Sequence, residues 1–167
     1  MVWKPDVTVA ALVQRAGRFL IVEERIGGRL VLNQPAGHVE DGESLCAAVI
    51  RETLEETAWH FEPEALLGLY LWRSPRGHST LRIAFLGSVI THEPQRALDP
   101  PVQAAHWLSR DELAARRAQL RTPLVLRCID DCIAGQRLPL SALASDLLDG
   151  MAAGPAAPEP PGNRAPP

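Results

Sequence analysis

The sequence predicts an α/β fold, with one mixed sheet and helices packed on its faces. Three observations lead there. Valine-rich segments of strand length open the chain, in VTVAALVQ (7–14), RFLIVEER (18–25) and RLVLNQ (29–34). One segment free of Pro and Gly, SLCAAVIRETLEETA (44–58), then interrupts them with helix formers. Further strands follow, and the order closes on helix.

Each element has a local reason. RAG turns the first strand into the second, and the pair Gly27-Gly28 predicts a hairpin turn into the third. Pro35 and Gly37 break regular structure ahead of the acidic stretch. Asp41 or Ser44 can cap the helix that follows. LLGLYLWRS (66–74) and STLRIAFLGSVI (79–90) are two strands around PRGH, and 91–101 is a loop. VQAAHWLS (102–109) contains another strand, and SRDELAAR (109–116) starts like a capped helix. TPLVLRCIDDCIAG (122–135) is a helix with Pro at its start and Gly at its end.

The chain has 167 residues, enough for one domain with a substantial core. Apolar residues make 46% and charged residues 22%, which fits a globular protein. With a formal charge of −3, nothing suggests a general grip on nucleic acid or on an anionic membrane. The opening MVWKPDVTVAALVQRAG does not resemble a signal peptide, and no stretch approaches the length of a spanning helix. Cys46, Cys128 and Cys132 are odd in number and widely spaced, so core packing is expected rather than a disulfide framework or a zinc site. A reducing cytoplasm is the expected compartment. The last residues, GMAAGPAAPEPPGNRAPP, lack the large apolar groups that offset ordering entropy. The expected organisation is a domain over 1–149 and a disordered tail over 150–167.

The acidic end of the helix raises the functional question. Glu52, Glu55 and Glu56 lie within five positions and repel one another on one side of a helix. A solvated acidic face is one reading, and a cation site is the other. At about 100° per residue, Glu52 and Glu56 fall on the line of Leu45, Ala48 and Val49, while Cys46, Ile50 and Leu54 cover another side. The acids therefore continue an apolar line instead of opposing it, as expected where a helix end opens into a cleft. Clustered carboxylates there call for a counter-charge, and hard divalent cations prefer oxygen ligands.

GHVEDGESLCAAVIRETLEETAW (37–59) resembles the signature box of the Nudix family. Gly37, Glu43, Arg51, Glu52, Glu55 and Glu56 match its fixed positions in register, and Trp59 takes the last apolar position. Thr53 stands where the pattern has an apolar residue, and Ala58 replaces the closing glycine. The resemblance implies an α/β/α sandwich in which the box forms a loop-helix-loop. It implies Mg²⁺, with Mn²⁺ as an alternative, bound by Glu52, Glu55 and Glu56 and by the backbone carbonyl of Gly37. Arg51 would pair with Glu43 and orient the acids. Either Glu56 or Glu52 would accept the proton of the attacking water, with Glu93 and Asp99 of the 91–101 loop as further base candidates.

Outside the box, FLIVEERIGG, LNQPAGHVE, LRIAFLG and RTPLVLRCIDDCIAGQRLPL resemble a phosphatase branch of the same family. That likeness implies broad hydrolysis of hydroxymethylpyrimidine pyrophosphate, thiamine pyrophosphate and nucleoside di- and triphosphates. Two alternatives stand beside it: a pyrophosphatase for ADP-ribose, dinucleotides or sugar nucleotides, and an inactive Nudix fold used for sensing or protein binding. The expected partner is a small phosphorylated substrate, with no nucleic-acid polymer and no membrane, on a monomer or homodimer.

Phosphates also require donors. Arg82 alternates with Leu81 and Ile83 in an apolar strand and is expected to point inward. Arg73 and Arg76 lie at and within the SPRGH turn, and Lys4 precedes the first strand. Trp72 is the candidate stacking surface, with Tyr70 beside it, while Trp59 and Trp107 are expected in the core. His38 follows the box glycine. One of Glu23 and Glu24 is expected to face the cavity.

Overall fold

A computed structural model describes residues 3–144. The expected boundary at 149 and the tail over 150–167 lie outside the described residues. The strands are β1 (Asp6–Arg15), β2 (Arg18–Ile26), β3 (Arg29–Asn33), β4 (Ala36–His38), β5 (Trp59–Arg73), β6 (Ser79–His92) and β7 (Val102–Ser109). The helices are α1 (Leu45–Thr57), α2 (Arg110–Ala115) and α3 (Leu124–Ile133).

Seven strands form one mixed sheet with two halves. In one half β1 pairs with β4 antiparallel and with β6 in parallel, and β5 flanks β6. In the other, β2 lies between β3 and β7. The tight β1–β2 hairpin joins them. Gly27 and Gly28 both take positive φ, 56° and 79°, which the two-residue turn between β2 and β3 requires.

Strand alternation divides the core between two faces. Val9, Ala11, Val13, Leu20, Ile83 and Phe85 pack with Ala48 and Val49 of α1. Leu12, Phe19, Ile21 and Ala84 pack with Leu124, Val125, Cys128 and Ile129 of α3. The sheet is thus sandwiched between α1 and α3, as the sequence predicts. Each fully buried Leu, Ile or Phe contributes roughly 1.5–3 kcal/mol. Cys128 and Cys132 belong to or pack against the α3 side, and Trp59 and Trp107 are half-buried against the α1 side.

Three details differ from expectation. The Pro35–Gly37 segment read as a break contains β4, whose partners Thr8, Val9 and Ala10 are far away in sequence. The strand expected from 66 begins at Trp59, because bulges near Phe61, Pro63 and Leu66 absorb the proline and the irregular pattern. Ile50 is exposed, so that side of α1 meets solvent.

Candidate active site

The box helix is fixed at both ends. Ser44, not Asp41, caps α1 by accepting a hydrogen bond from the Ala47 N–H at 3.1 Å. Ala58 ends it in the left-handed region at φ 57°, and its N–H donates to the Leu54 carbonyl. The exit geometry a glycine would give is therefore kept, at a cost of about 1 kcal/mol for the Cβ. Thr53 is fully buried and donates its hydroxyl proton to the Val49 carbonyl at 2.7 Å, which satisfies the polar group at that apolar position.

Arg51 organises the acids. Its Nε and Nη2 donate to the two Glu43 oxygens at 3.1 and 2.7 Å, a bidentate pair. Nη1 donates to Glu52 at 2.8 Å and to Glu55 at 3.2 Å, and Nη2 also reaches the His38 carbonyl. This contact with Arg51 holds the Glu43 carboxyl below the usual range. It also raises the Arg51 pKa, so the guanidinium stays charged.

Glu56 is only 8% exposed, and its Oε2 accepts the Ala36 N–H at 2.8 Å. Burial, reinforced by the charges of Glu24 and Glu52, pushes its pKa up to about 8. Burial raises the Glu52 pKa as well. Gly37 explains how Glu52 fits: a Cβ on Gly37 would lie 2.0 Å from the Glu52 carboxylate carbon. Only glycine lets that carboxylate sit against its backbone.

The Glu56 shift has a consequence for stability. Its folded pKa, about 8, exceeds the ordinary value of 4.5, so between them the folded state binds more protons. The Glu56 contribution to the stability of the cation-free protein is then full below about 4.5 and is lost as pH rises through about 8. Thermal unfolding followed from acid to alkaline pH in chelator is expected to show this decline. Glu56→Gln is expected to flatten it, and a slope unchanged in that variant would contradict the assignment.

These groups border a cleft of about 1060 Å³. It is lined by Gly37, His38, Glu52, Glu56, Arg82 and Trp72, and also by Glu24, Arg76 and Arg121. Arg82 is 5% exposed, and burial lowers its pKa. It donates to Gln34 Oε1 at 3.0 Å and to Asn33 Oδ1 at 3.2 Å, both neutral partners. Among the described residues, three buried side-chain atoms lack a hydrogen-bond partner: Thr8 Oγ1, Glu24 Oε2 and Arg82 Nε. All three residues line this cleft.

A family model for the NUDIX domain matches residues 3–128. The chain belongs to the Nudix family. Phosphatase NudJ of Escherichia coli strain K12 is 37% identical over 141 residues, 84% of this chain and 92% of its own. A Nudix hydrolase from Nitrosomonas europaea is 48% identical, with a TM-score of 0.82 over 84% of this chain and 96% of its own. A MutT Nudix hydrolase from Burkholderia pseudomallei is 25% identical, with a TM-score of 0.65 over 77% and 98%. This chain is a Nudix hydrolase, an enzyme of phosphoanhydride bonds. Such hydrolases act on small phosphorylated substrates and generally use divalent metal ions.

The Nudix box brings Gly37, Glu52 and Glu56 to the cleft, while Glu43 and Arg51 stand behind them. The Glu55 carboxylate is turned to Arg51 and does not line the cleft. Arg73 is exposed, donates to the Gly77 carbonyl within its own turn and does not line the cleft. Trp72, its neighbour on β5, points to the opposite face and does line the cleft, as does Arg76. Glu93 is held by His60 at 2.6 Å and by Arg96, and Asp99 is exposed. Neither lines the cleft, to which this loop contributes Pro101. Of Glu23 and Glu24, Glu24 faces the cavity.

Sequence reasoning overlooked Asn33, Gln34 and Ala36. The first two carry Arg82, and the third anchors Glu56. Their signal was the stretch NQPA directly before Gly37.

Among the described residues, no three acidic, His or Cys side chains converge as a closed cation site. The donors nevertheless fit a hard cation. They are all oxygen, they are crowded in a partly buried cleft, and Gly37 leaves the room that a Cβ would fill.

Proposed function

We propose that this Nudix hydrolase is a Mg²⁺-dependent phosphatase of broad range. Its substrates are hydroxymethylpyrimidine pyrophosphate, thiamine pyrophosphate and nucleoside di- and triphosphates, with release of orthophosphate. One observation carries the reading. The unpartnered buried atoms, one carboxylate oxygen and two hydrogen-bonding groups, gather in the cleft that holds Glu52 and Glu56. Acidic and basic groups in one cleft suit a cation and a phosphate together. The likeness to Phosphatase NudJ along most of the chain supports the same reading, and the cleft's volume admits organic groups of nucleotide size.

Glu52, Glu56 and the Gly37 carbonyl would hold the cation, with Glu55 at its edge and Mn²⁺ as an alternative to Mg²⁺. The bound ion supplies charge neutralisation on the phosphate oxygens and lowers the pKa of a water. Glu56 accepts the proton of the attacking water on Oε1, since Oε2 is engaged by Ala36. Glu52 is the second candidate for that role. Arg51, locked by Glu43, fixes where the acids stand. Arg82 offers its guanidinium to a phosphate oxygen, and Trp72 offers a ring face to the organic group.

Product analysis with Mg²⁺ tests this. The panel is hydroxymethylpyrimidine pyrophosphate, thiamine pyrophosphate, nucleoside di- and triphosphates and ADP-ribose. Orthophosphate from several terminal anhydrides is the expected product. A clear preference for ADP-ribose, yielding two monophosphates, would overturn the reading.

A further inference from the structure

We infer that Glu24 of β2 is a further oxygen ligand of the divalent cation, supplied by the sheet rather than by the box helix. This rests on the cation-dependent reading above and adds a residue to it.

Glu24 is 3% exposed, yet it lines the cleft beside Glu52 and Glu56. One of its oxygens is paired: Arg121 donates to Oε1. The other, Oε2, is buried and has no partner among the described residues. A buried carboxylate oxygen without a donor is costly, so it persists where something absent from the polypeptide completes it. Glu24, Glu52 and Glu56 line one cleft, and three carboxylates that share it call for positive charge to keep them ionised. Arg121 supplies one such charge, but it is half-exposed and sits on Oε1.

The backbone places the residue deliberately. The β2–β7 ladder slips between Glu23 and Glu24, leaving Gln103 as the extra residue of a bulge. The extra residue is on β7, so β2 keeps its alternation and Glu23 and Glu24 point to opposite faces. Here Glu23 lies toward His106, 4.0 Å away, while Glu24 lines the cleft. On the other side, the Arg121 N–H donates to the Leu32 carbonyl at 2.9 Å, which pins the segment carrying Arg121 beside β3.

Mn²⁺ binding to the full chain, followed by electron paramagnetic resonance without substrate, tests the assignment. Glu24→Gln keeps an acceptor for Arg121 and removes the charge. It is expected to weaken Mn²⁺ binding on the order of 10–100-fold, the scale on which even outer partners act. Glu23→Gln is expected to bind Mn²⁺ as the wild type does. Arg121→Met removes the competing cation and is expected to tighten binding severalfold, which keeps a test available should Glu24→Gln fold poorly. Unchanged affinity in Glu24→Gln, or unchanged or weaker affinity in Arg121→Met, would overturn the inference. If Glu56→Gln loses Mn²⁺ while Glu24→Gln does not, the inference alone fails. If the wild type binds no Mn²⁺, the cation-dependent reading fails with it.

Discussion

Replacing Glu56 with glutamine is expected to lower turnover by about 10²–10⁴-fold while the protein stays folded. The fold should survive because the one hydrogen bond seen at this carboxylate is acceptance from Ala36. The glutamine carbonyl oxygen can accept it equally well. Removing a charge that burial disfavours should even stabilise the cation-free protein at neutral and alkaline pH. Activity has no such substitute. An amide neither takes a proton from water nor offers a cation the charge of a carboxylate. The measurement is orthophosphate release under saturating Mg²⁺, beside thermal unfolding of the same preparation. Full turnover in a folded variant would remove Glu56 from both its proposed roles. Glu52→Gln makes a useful comparison, because Glu52 shares its charge with Arg51 at 2.8 Å and leans on Gly37.

What the sequence disclosed followed the range of the interactions involved. The helix register was legible because 3.6-residue periodicity is local: Ala48 and Val49 are buried, and Glu56 continues their line into the cleft. The inward turn of Arg82 was legible from strand alternation for the same reason. β4 was not, since three residues around a glycine become a strand only through pairing with β1 about thirty positions earlier. Bulges hid the start of β5, because each one resets the two-residue alternation. Arg73 and Arg76 are equivalent as members of a turn, and only the fold shows Arg76 at the cleft and Arg73 bonded within its own turn.

The same limit explains the part played by NQPA. As a string, it marked a likeness to one branch of the family. In the fold, it connects the two halves of the site. Asn33 and Gln34 end the β2–β3 hairpin with their side chains on Arg82, and Ala36 begins β4 with its N–H on Glu56. Gln34 is itself tied to α3 by donation to the Val125 carbonyl at 2.8 Å. Carboxylates from one face of the sheet and a guanidinium supported from the other are thereby held in fixed relation. A site placed on such packed elements is preorganised, which is what differential stabilisation of a transition state requires.

Arg82→Met is expected to reduce kcat/KM by about 10–100-fold, the value of one to two charge-assisted hydrogen bonds. The hydrogen-bond partners of the Arg82 guanidinium are the neutral amide oxygens of Asn33 and Gln34, which hold it in place without pairing its charge, and among the described residues Nε has no partner. A buried arginine held in this way is disfavoured, as its lowered pKa records. A phosphate oxygen would supply the missing counter-charge. That contact exists before the bond breaks as well as during cleavage, so KM should rise more than kcat falls. Arg82→Lys keeps the charge but loses the fork, and should recover only part of the loss. Inhibition by inorganic phosphate separates this role from a structural one. It should weaken in Arg82→Met along with kcat/KM, whereas loosened packing alone would leave it near the wild-type value. Unchanged inhibition and unchanged KM in a folded Arg82→Met variant would mean that Arg82 serves the fold and not the substrate.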